Sequence, residues 1–291
     1  MFWQLLLNAF VAASIAVPLA IGCAVVYWTV GLFDFSLGAS FVAGGYCSFV
    51  LVRLIGVPFF LALPGGIAAG AILGILARAF VYRPLTRRGS NPLLLLLASL
   101  GIYIAFQNTL SLVFGDATKS LLSGPVQAGY DIHGGRITCI QLVTVSGSIC
   151  FVIVLALLQN LTKSGKILRA VANDSTLADI VGIPANRWIL IAHAIAGGAA
   201  GLSGIFAAMT VDISPTIGMG FFMIATVAAV VGSSGGVGGV ALGVLLIACA
   251  GQFGVWKLSS QWQGSITFAI LLVFMLLRSQ GGAQPALRSQ A

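Results

Sequence analysis

Residues 1–33 read MFWQLLLNAFVAASIAVPLAIGCAVVYWTVGLF, a run of 33 residues without one charged side chain. A helix needs about 20 apolar residues to cross a hydrocarbon core of about 30 Å, so this run is long enough to span a bilayer. Other uncharged runs follow it at 35–52, 54–77, 90–115, 137–162, 188–211, 213–256 and 258–277. The chain is therefore predicted to be a membrane protein.

The composition excludes the ordinary soluble classes. Only 7% of the 291 residues are charged and 59% are hydrophobic, whereas roughly 25% are charged in a typical soluble domain. The 14 cations lie between apolar runs, and a nucleic-acid groove would need them clustered on one wet face. Disorder, collagen and a disulfide scaffold are excluded too, because hydrophobicity is high, the 37 glycines follow no three-residue period and the five cysteines are scattered.

The number of membrane segments depends on a few of the runs. The run 213–256 is too long for one crossing and is broken by Gly-Ser-Ser-Gly-Gly-Val-Gly-Gly at 232–239, which predicts two shorter helices. The stretches 35–52 and 219–231 are left open between full crossings and re-entrant helices. The runs are apolar throughout, whereas the strands of a membrane β-barrel alternate apolar and polar residues, so helices are expected. We therefore expect one all-α transmembrane domain over 1–291, with eight or nine segments that include short or broken helices.

The cations predict the orientation, because Lys and Arg in short loops mark the cytoplasmic side of a membrane protein. The loops 78–88 and 163–187 and the tail 279–291, with Arg278 just before it, lie on one side if the segments alternate. That side receives ten of the 14 cations. The opposite side receives Arg53, Lys119, Arg136 and Lys257. The C-terminus is therefore expected in the cytoplasm.

Two stretches interrupt the apolar pattern. The first is Gly31-Leu-Phe-Asp-Phe-Ser-Leu-Gly38, and the second is the glycine cluster at 232–239. Irregular backbone at membrane depth is tolerated where it lines a cavity or is buried in protein. We therefore place a translocation path beside five residues of these breaks: Asp34, Ser36, Gly38, Gly235 and Gly236. The alternative is two tight cytoplasmic hairpins, with Asp34 capping the next helix and Ser36 assisting.

Few polar side chains lie inside the runs. Gln107 and Asn108 are further candidates for the path, and the alternative is that they hydrogen-bond neighbouring helices. His193 lies six residues into its run, which favours a neutral, hydrogen-bonded histidine near the interface over a functional one. Gly197 and Gly201 have the small-x-x-x-small spacing that lets two membrane helices approach closely.

The loop 163–187 is the longest polar segment on the predicted cytoplasmic side. Asp174 or Asn173 can cap a helix over about 175–181, which Gly182 and Pro184 would end. Apolar residues recur in this helix at i, i+3 and i+4, forming a face that a solvated loop does not need. The face either packs against a partner protein or lies on the bilayer surface. The candidates for coupling are Lys166, Arg169, Asp174, Leu177, Ile180, Val181 and Gly182.

Motifs for chemistry are missing from the sequence. It contains no Gly-x-x-x-x-Gly-Lys-Ser/Thr motif, so ATP is not expected to bind this chain by that route. It contains no Cys-x-x-Cys and no paired histidines, so no metal site is predicted. No nucleophile constellation stands out either. The chain is predicted to be non-catalytic and to hold no cofactor of its own.

Three stretches occur in order along the chain. They are Phe80-Val-Tyr-Arg-Pro-Leu-Thr-Arg-Arg88 with Gln107-Asn108, then Lys166-Ile-Leu-Arg-Ala-Val-Ala-Asn-Asp174 with Gly182-Ile183, then the glycine-rich 230–243 with Leu277-Arg-Ser-Gln-Gly281. Each is weak alone. In this order and spacing, over nearly the whole chain, they resemble the permease subunits of the branched-chain amino acid ABC transporter family.

The resemblance implies an importer built from several subunits. This chain would form the path with a second, homologous permease that is usually a different one. Two cytoplasmic ATPase subunits would bind ATP and Mg, and an extracytoplasmic binding protein would deliver the solute. The residues 174–182 would be a coupling helix in an ATPase groove. The expected location is the bacterial cytoplasmic membrane, and the expected solutes are branched-chain or other neutral amino acids, then urea or short amides.

The likeness departs from the family at the first break. Amino acid permeases of the family usually read Asn-Phe-Ala-His-Gly-Glu, whereas this chain has Asp34-Phe-Ser-Leu-Gly-Ala39. That is closer to the Ile-Asp-Leu-Ser-Val-Gly of the related sugar permeases, and Asp34 stands at the Asn position. A sugar permease and a passive channel for a small neutral solute are the alternative functions. The channel would have no need of an apolar helix on its cytoplasmic side.

Overall fold

The computed structural model describes residues 2–121, 129–132, 135–257, 264–267 and 269. Its helices are α1 (Phe2–Val30), α2 (Ser36–Phe49), α3 (Phe59–Leu76), α4 (Arg83–Arg87), α5 (Pro92–Phe114), α6 (Cys139–Leu161), α7 (Lys163–Asn173), α8 (Ser175–Ile180), α9 (Ala185–Thr210), α10 (Ile217–Gly232) and α11 (Gly236–Lys257). Wider π-helical turns extend α2 over Val50–Leu54 and α3 over Ala77–Tyr82, and a 3-10 turn covers Ser233–Gly235. The strands β1 (Tyr130–Ile132) and β2 (Gly135–Ile137) pair antiparallel, with Tyr130 opposite Ile137.

Seven helices in the described part of the chain are long and apolar enough to cross a membrane. They include Ser36–Leu54, so the run 35–52 has the length of a full crossing. Helix α10 has 16 residues, which makes it about 24 Å long and shorter than the hydrocarbon core. The predicted all-α, multi-pass membrane fold is confirmed. The total of eight or nine segments and the cytoplasmic C-terminus stay predictions, since most of 258–277 and the tail lie outside the described residues.

Helices α1, α2 and α9 form the centre of the bundle. Helix α9 packs against α1, α2 and α3, and α1 also packs against α10 and α11. Small side chains such as Ala192, Ala196 and Ala200 are fully buried along α9, which lets its neighbours come close. Helices α5 and α6 lie at the periphery, where large apolar side chains such as Leu112 and Leu161 are exposed. These outer faces are suited to lipid.

The close approach of α3 and α9 depends on glycine. A Cβ atom on Gly201 would lie 2.7 Å from the carbonyl oxygen of Gly66, and Gly197 meets the backbone of Gly70 in the same way. Such distances are shorter than real Cβ contacts, so a larger residue would force the helices apart. The close contact predicted from the spacing of Gly197 and Gly201 is confirmed, and its partner is α3.

The glycine cluster at 232–239 separates α10 from α11, so the prediction of two helices in this run is confirmed. The two helices fold back on each other, and a Cβ atom on Gly239 would lie 2.5 Å from the carbonyl oxygen of Gly232. Gly236, at the start of α11, has φ +62°. Since only glycine adopts this conformation readily, the turn requires glycine there.

Candidate functional site

The break between α1 and α2 holds a buried carboxylate. Helix α1 ends at Val30 and α2 begins at Ser36, and Asp34 in the link between them is only 6% exposed. Its Oδ1 accepts hydrogen bonds from the backbone N–H of Ser36 at 2.8 Å and from the hydroxyl of Tyr82 at 2.5 Å. The first is the bond expected of a helix-capping aspartate. The Ser36 hydroxyl does not assist, since its Oγ is buried without a hydrogen-bond partner in the described chain.

His193 of α9 faces the same carboxylate. Its Nε2 lies 3.9 Å from Oδ2 of Asp34, and its Nδ1 lies 2.8 Å from the carbonyl oxygen of Ile189, one turn earlier in α9. The ring is only 2% exposed. The hydrogen bond predicted for this histidine is confirmed, whereas its neutral state stays a prediction. Its proximity to Asp34 was not predicted, because Asp34 lies between the first two runs and His193 in the distant run 188–211.

Tyr82 and Arg78 complete the cluster, and the sequence did not single them out as site residues. Both lie on the π-helical extension of α3 and both are buried. The Nη2 of Arg78 donates to Oδ1 of Asn186 at 3.4 Å. A cavity of about 20 Å³ is lined by these two residues, Asp34, Ser99 and His193, among others. One feature of the sequence could have indicated this buried cluster. Arg78 directly follows the run 54–77, and a cation at that position needs a partner if it is buried.

The other path candidates lie apart from this cluster. Gln107 and Asn108 are on the peripheral helix α5, where the exposed Asn108 donates from Nδ2 to the carbonyl oxygen of Ile104 at 2.8 Å. Gly38 is buried in α2, where a Cβ atom would lie 3.2 Å from the ring of Tyr103 in α5. Gly38 thus belongs to the helix that begins just after Asp34, whereas Gln107 and Asn108 belong to α5. Their roles in a path stay predictions.

The turn between α10 and α11 borders a second cavity, of about 340 Å³, through Ser233 and Gly236. Trp28 and Thr29 from the end of α1, Arg169 of α7 and Gly236 all line it. The structure thus brings together Gly236, predicted for the path, and Arg169, predicted for coupling. This cavity lies where the end of α1, the loop 163–187 and the turn into α11 meet.

A larger cavity, of about 760 Å³, lies between α1, α10 and α11. No charged side chain is among its described lining residues. A mainly apolar chamber with a few polar groups is typical of a small-molecule site. Its location was not predicted, because it is formed by runs that lie far apart in the sequence. The polar lining residues are Asn8, Gln141, Thr210, Thr216, Gln252 and Thr267.

The loop 163–187 contains two helices, of which the sequence predicted the second. Helix α8 begins after Asp174, whose Oδ1 accepts from the backbone N–H groups of Thr176 at 2.9 Å and Leu177 at 3.0 Å. Gly182 ends this segment with φ +91°. The predicted cap and the glycine stop are therefore confirmed. Helix α7, Lys163–Asn173, was not predicted; it is capped by Thr162, whose Oγ1 accepts from the N–H of Gly165 at 3.1 Å.

Helix α8 buries one side and exposes the other. Ala178 is buried in a small cluster with Val171 of α7 and Ala185 of α9. The apolar residues that the sequence singled out are exposed instead, with Leu177 at 57%, Ile180 at 77% and Val181 at 72%. Lys166 and Arg169 are also exposed, on α7. The face of α8 formed by Leu177, Ile180 and Val181, here called the α8 apolar face, is thus available for docking.

Removal of the α8 cap is expected to loosen α8. In Asp174→Ala the N–H groups of Thr176 and Leu177 lose their acceptor, which costs about 1 kcal/mol and corresponds to roughly fivefold faster amide exchange in this helix. Hydrogen–deuterium exchange of the peptide covering 174–182 measures the change. Asp174→Asn is the control, since asparagine also caps helices well. Equal exchange in all three proteins would show that the cap contributes nothing.

Comparison with known proteins is consistent with this fold. The model of the family described as the branched-chain amino acid transport system / permease component matches residues 5–276. The chain is 28% identical over 293 residues to the high-affinity branched-chain amino acid transport system permease protein BraD of Pseudomonas aeruginosa, covering 96% of this chain and 95% of that protein. It is 28% identical over 295 residues to the corresponding protein LivH of Escherichia coli K12, covering 96% and 94%.

A solved structure shares the fold at low sequence identity. It is PsaBC from Streptococcus pneumoniae in complex with Fab, with a TM-score of 0.50 and 12% identity over 92% of this chain and 90% of that chain. At this identity the similarity concerns the fold alone. The family model, by contrast, extends over all seven candidate membrane spans. The chain belongs to the family of permease components of branched-chain amino acid transport systems.

Proposed function

We propose that this chain is the membrane-spanning permease subunit of an ATP-binding cassette importer for branched-chain or other neutral amino acids. The main support for an ATPase partner is the exposed α8 apolar face, because a channel that works alone would not need it. The solute class is supported by the relatives BraD and LivH, which are named as permease proteins of high-affinity branched-chain amino acid transport systems. These relatives do not favour the passive channel or the sugar permease.

The 760 Å³ cavity between α1, α10 and α11 is the chamber best suited to such a solute. An ion with a net charge would need a buried counter-charge in an apolar chamber, and the described lining residues supply none. A neutral amino acid carries no net charge and can satisfy its ends with amide and hydroxyl groups such as those of Asn8, Gln252 and Thr216. The absence of charge among the described lining residues therefore supports a zwitterionic or neutral solute.

Helix α8 is placed to transmit movement to the bundle centre. Oδ1 of Asp179, in α8, accepts a hydrogen bond from the backbone N–H of Ala185 at 2.7 Å. Ala185 is the first residue of α9, which packs against α1, α2 and α3. ATPase subunits that close on α8 would therefore move α9 against the rest of the bundle. In this proposal the chain is not an enzyme, because ATP and Mg bind the partner ATPases.

The remaining parts of the proposed importer follow from the resemblance to the family. Two ATPase subunits dock on the cytoplasmic side, a second and homologous permease completes the path, and an extracytoplasmic binding protein delivers the solute. The assembly lies in the bacterial cytoplasmic membrane. The tail 279–291 is proposed to be cytoplasmic. It contains Arg288 and follows Arg278, and arginines close to the end of a membrane segment favour the cytoplasmic side.

Uptake by the reconstituted importer tests the function. Proteoliposomes that contain this chain with its co-purified partners and binding protein are expected to accumulate leucine only when ATP is supplied to the ATPase side. Unlabelled isoleucine and valine should compete with leucine, whereas urea and a monosaccharide should not. Leucine flux through this chain without ATP would overturn the importer in favour of a channel. Competition by the monosaccharide alone would overturn the amino acid assignment.

A further inference from the structure

The carboxylate of Asp34 has one satisfied oxygen and one unsatisfied oxygen. Oδ1 accepts hydrogen bonds from the Ser36 amide and the Tyr82 hydroxyl. Oδ2 is buried and has no hydrogen-bond partner among the described residues. Since an unpaired buried carboxylate oxygen is costly in a medium of low dielectric constant, Oδ2 requires a partner. The side chain that faces it is His193, at 3.9 Å.

The hydrogen bond on the other side of the His193 ring decides where its protons lie. Nδ1 lies 2.8 Å from the carbonyl oxygen of Ile189. Because a carbonyl oxygen only accepts, Nδ1 must carry a hydrogen. In a neutral ring, Nε2 would then present its lone pair to the unpaired Oδ2 of Asp34. If Oδ2 carries no proton, two electron-rich atoms would face each other in a buried site, and a proton on Nε2 converts this into attraction between opposite charges.

The surrounding groups leave Oδ2 of Asp34 to His193. Oδ1 already accepts two hydrogen bonds, so Oδ2 is the oxygen that remains to interact with the ring. Arg78 lines the same cavity and would oppose a second cation there, but its guanidinium donates to Asn186. The basic side chain that approaches the Asp34 carboxylate to 3.9 Å is His193. The other titratable groups at the cluster are the Tyr82 phenol and the Cys23 thiol of α1, both within range of the Asp34 charge.

We propose that Nε2 of His193 holds a proton, so that His193 and Asp34 form a buried ion pair that ties α9 to the break between α1 and α2. The pair joins the link between α1 and α2 to α9, and His193 lies about two turns from the start of α9 at Ala185. A movement at the start of α9 therefore reaches the break at Asp34 through this contact. The proposal rests on geometry and is independent of which solute is carried.

A water molecule is the competing occupant. The cavity of about 20 Å³ beside Asp34 and His193 exceeds the roughly 10–15 Å³ that one water requires. Such a water could donate one hydrogen to Oδ2 and the other to Nε2, leaving the ring neutral. The protonation state of Nε2 therefore distinguishes the ion pair from the hydrated pair.

Nitrogen-15 NMR of the imidazole ring measures this state directly. The full-length chain has only two histidines, His133 and His193, so His133→Gln leaves one labelled ring in protein reconstituted into lipid bilayers. A histidine in water is mostly neutral at pH 7.5. The proposal predicts that both ring nitrogens of His193 are protonated at that pH. A neutral ring with hydrogen on Nδ1 alone would overturn the ion pair, in favour of the water or of a proton on Oδ2 of Asp34.

The variant Asp34→Asn tests whether Asp34 is the group that stabilises the proton on Nε2 of His193. Asparagine keeps an acceptor for Ser36 and Tyr82, and its Nδ2 can donate to a neutral Nε2, so the contact survives without charge. The Nε2 signal is expected to move to the unprotonated range in this variant while Nδ1 stays protonated. An imidazolium that persists in Asp34→Asn would overturn the assignment of Asp34 as its partner. If the variant fails to fold, the protein with native Asp34 is titrated from low to high pH. An imidazolium signal that is lost before the pH reaches 7.5 contradicts the proposal, and one that persists above pH 7.5 supports it.

Discussion

Replacing Leu177 and Ile180 together with aspartate is expected to abolish docking of the ATPase subunits while the chain still inserts and folds. Both side chains are exposed on the α8 apolar face, so their loss leaves the bundle unchanged. Burial of each is worth about 1.5–3 kcal/mol, and the charges oppose burial in a groove. The combined loss is at least about 3 kcal/mol, or roughly 100-fold in affinity.

Co-purification of the ATPase with the tagged chain measures this effect, and size-exclusion chromatography of the variant measures its folding. Ser164→Asp is the control for each single substitution, because it adds one negative charge at an exposed position of α7, outside α8. The control should retain the ATPase. Retention of the ATPase by the double variant would rule out the α8 apolar face as the docking surface and would favour its location on the bilayer surface.

Gly204→Ala is expected to destabilise the bundle strongly. A Cβ atom at position 204 would overlap the carbonyl group of Phe41 in α2 and lie 3.1 Å from the amide nitrogen of Gly45. Backbone atoms cannot rotate away as a side chain can, so α9 and α2 must separate. Overpacking of this kind costs about 1–3 kcal/mol and sometimes more, and it would disturb the helices that support Asp34 and His193.

Gly101→Ala is the control for this substitution. Gly101 also lies within a membrane helix, α5, but a Cβ atom there would meet no atom within 4 Å. Both substitutions raise helix propensity by about 1 kcal/mol. The difference between their unfolding midpoints therefore reports the clash alone. Thermal unfolding of the detergent-solubilised protein should show a lower midpoint for Gly204→Ala alone. Equal midpoints for both variants would contradict the backbone contact between α9 and α2.

Local features were predicted well from the sequence. The cap at Asp174, the stop at Gly182 and the break before Gly236 each depend on residues within a few positions of one another, and the structure contains all three. Helix α7 was missed because its turns are rich in polar residues and no apolar run marks it. The boundary between α10 and α11 was found because its glycines lie together in the chain.

Contacts between distant runs could not be predicted in this way. The spacing of Gly197 and Gly201 indicated a close helix contact, but nothing in it pointed to α3 as the partner. The meeting of Asp34, Tyr82 and His193 likewise follows from how α1, α3 and α9 pack. The chamber between α1, α10 and α11 has the same origin, since its polar residues are far apart in sequence.

The sequence by itself determined that this protein is a helical membrane protein, because transfer of uncharged runs into lipid depends on composition and length alone. It also determined where the helices break and which residues form the α8 apolar face. Only the tertiary structure decided which helices touch and which polar groups share a buried site. The reason is physical: helices in lipid all present similar apolar surfaces, so their pairing depends on the fit of small residues and on a few polar contacts that only the folded bundle brings together.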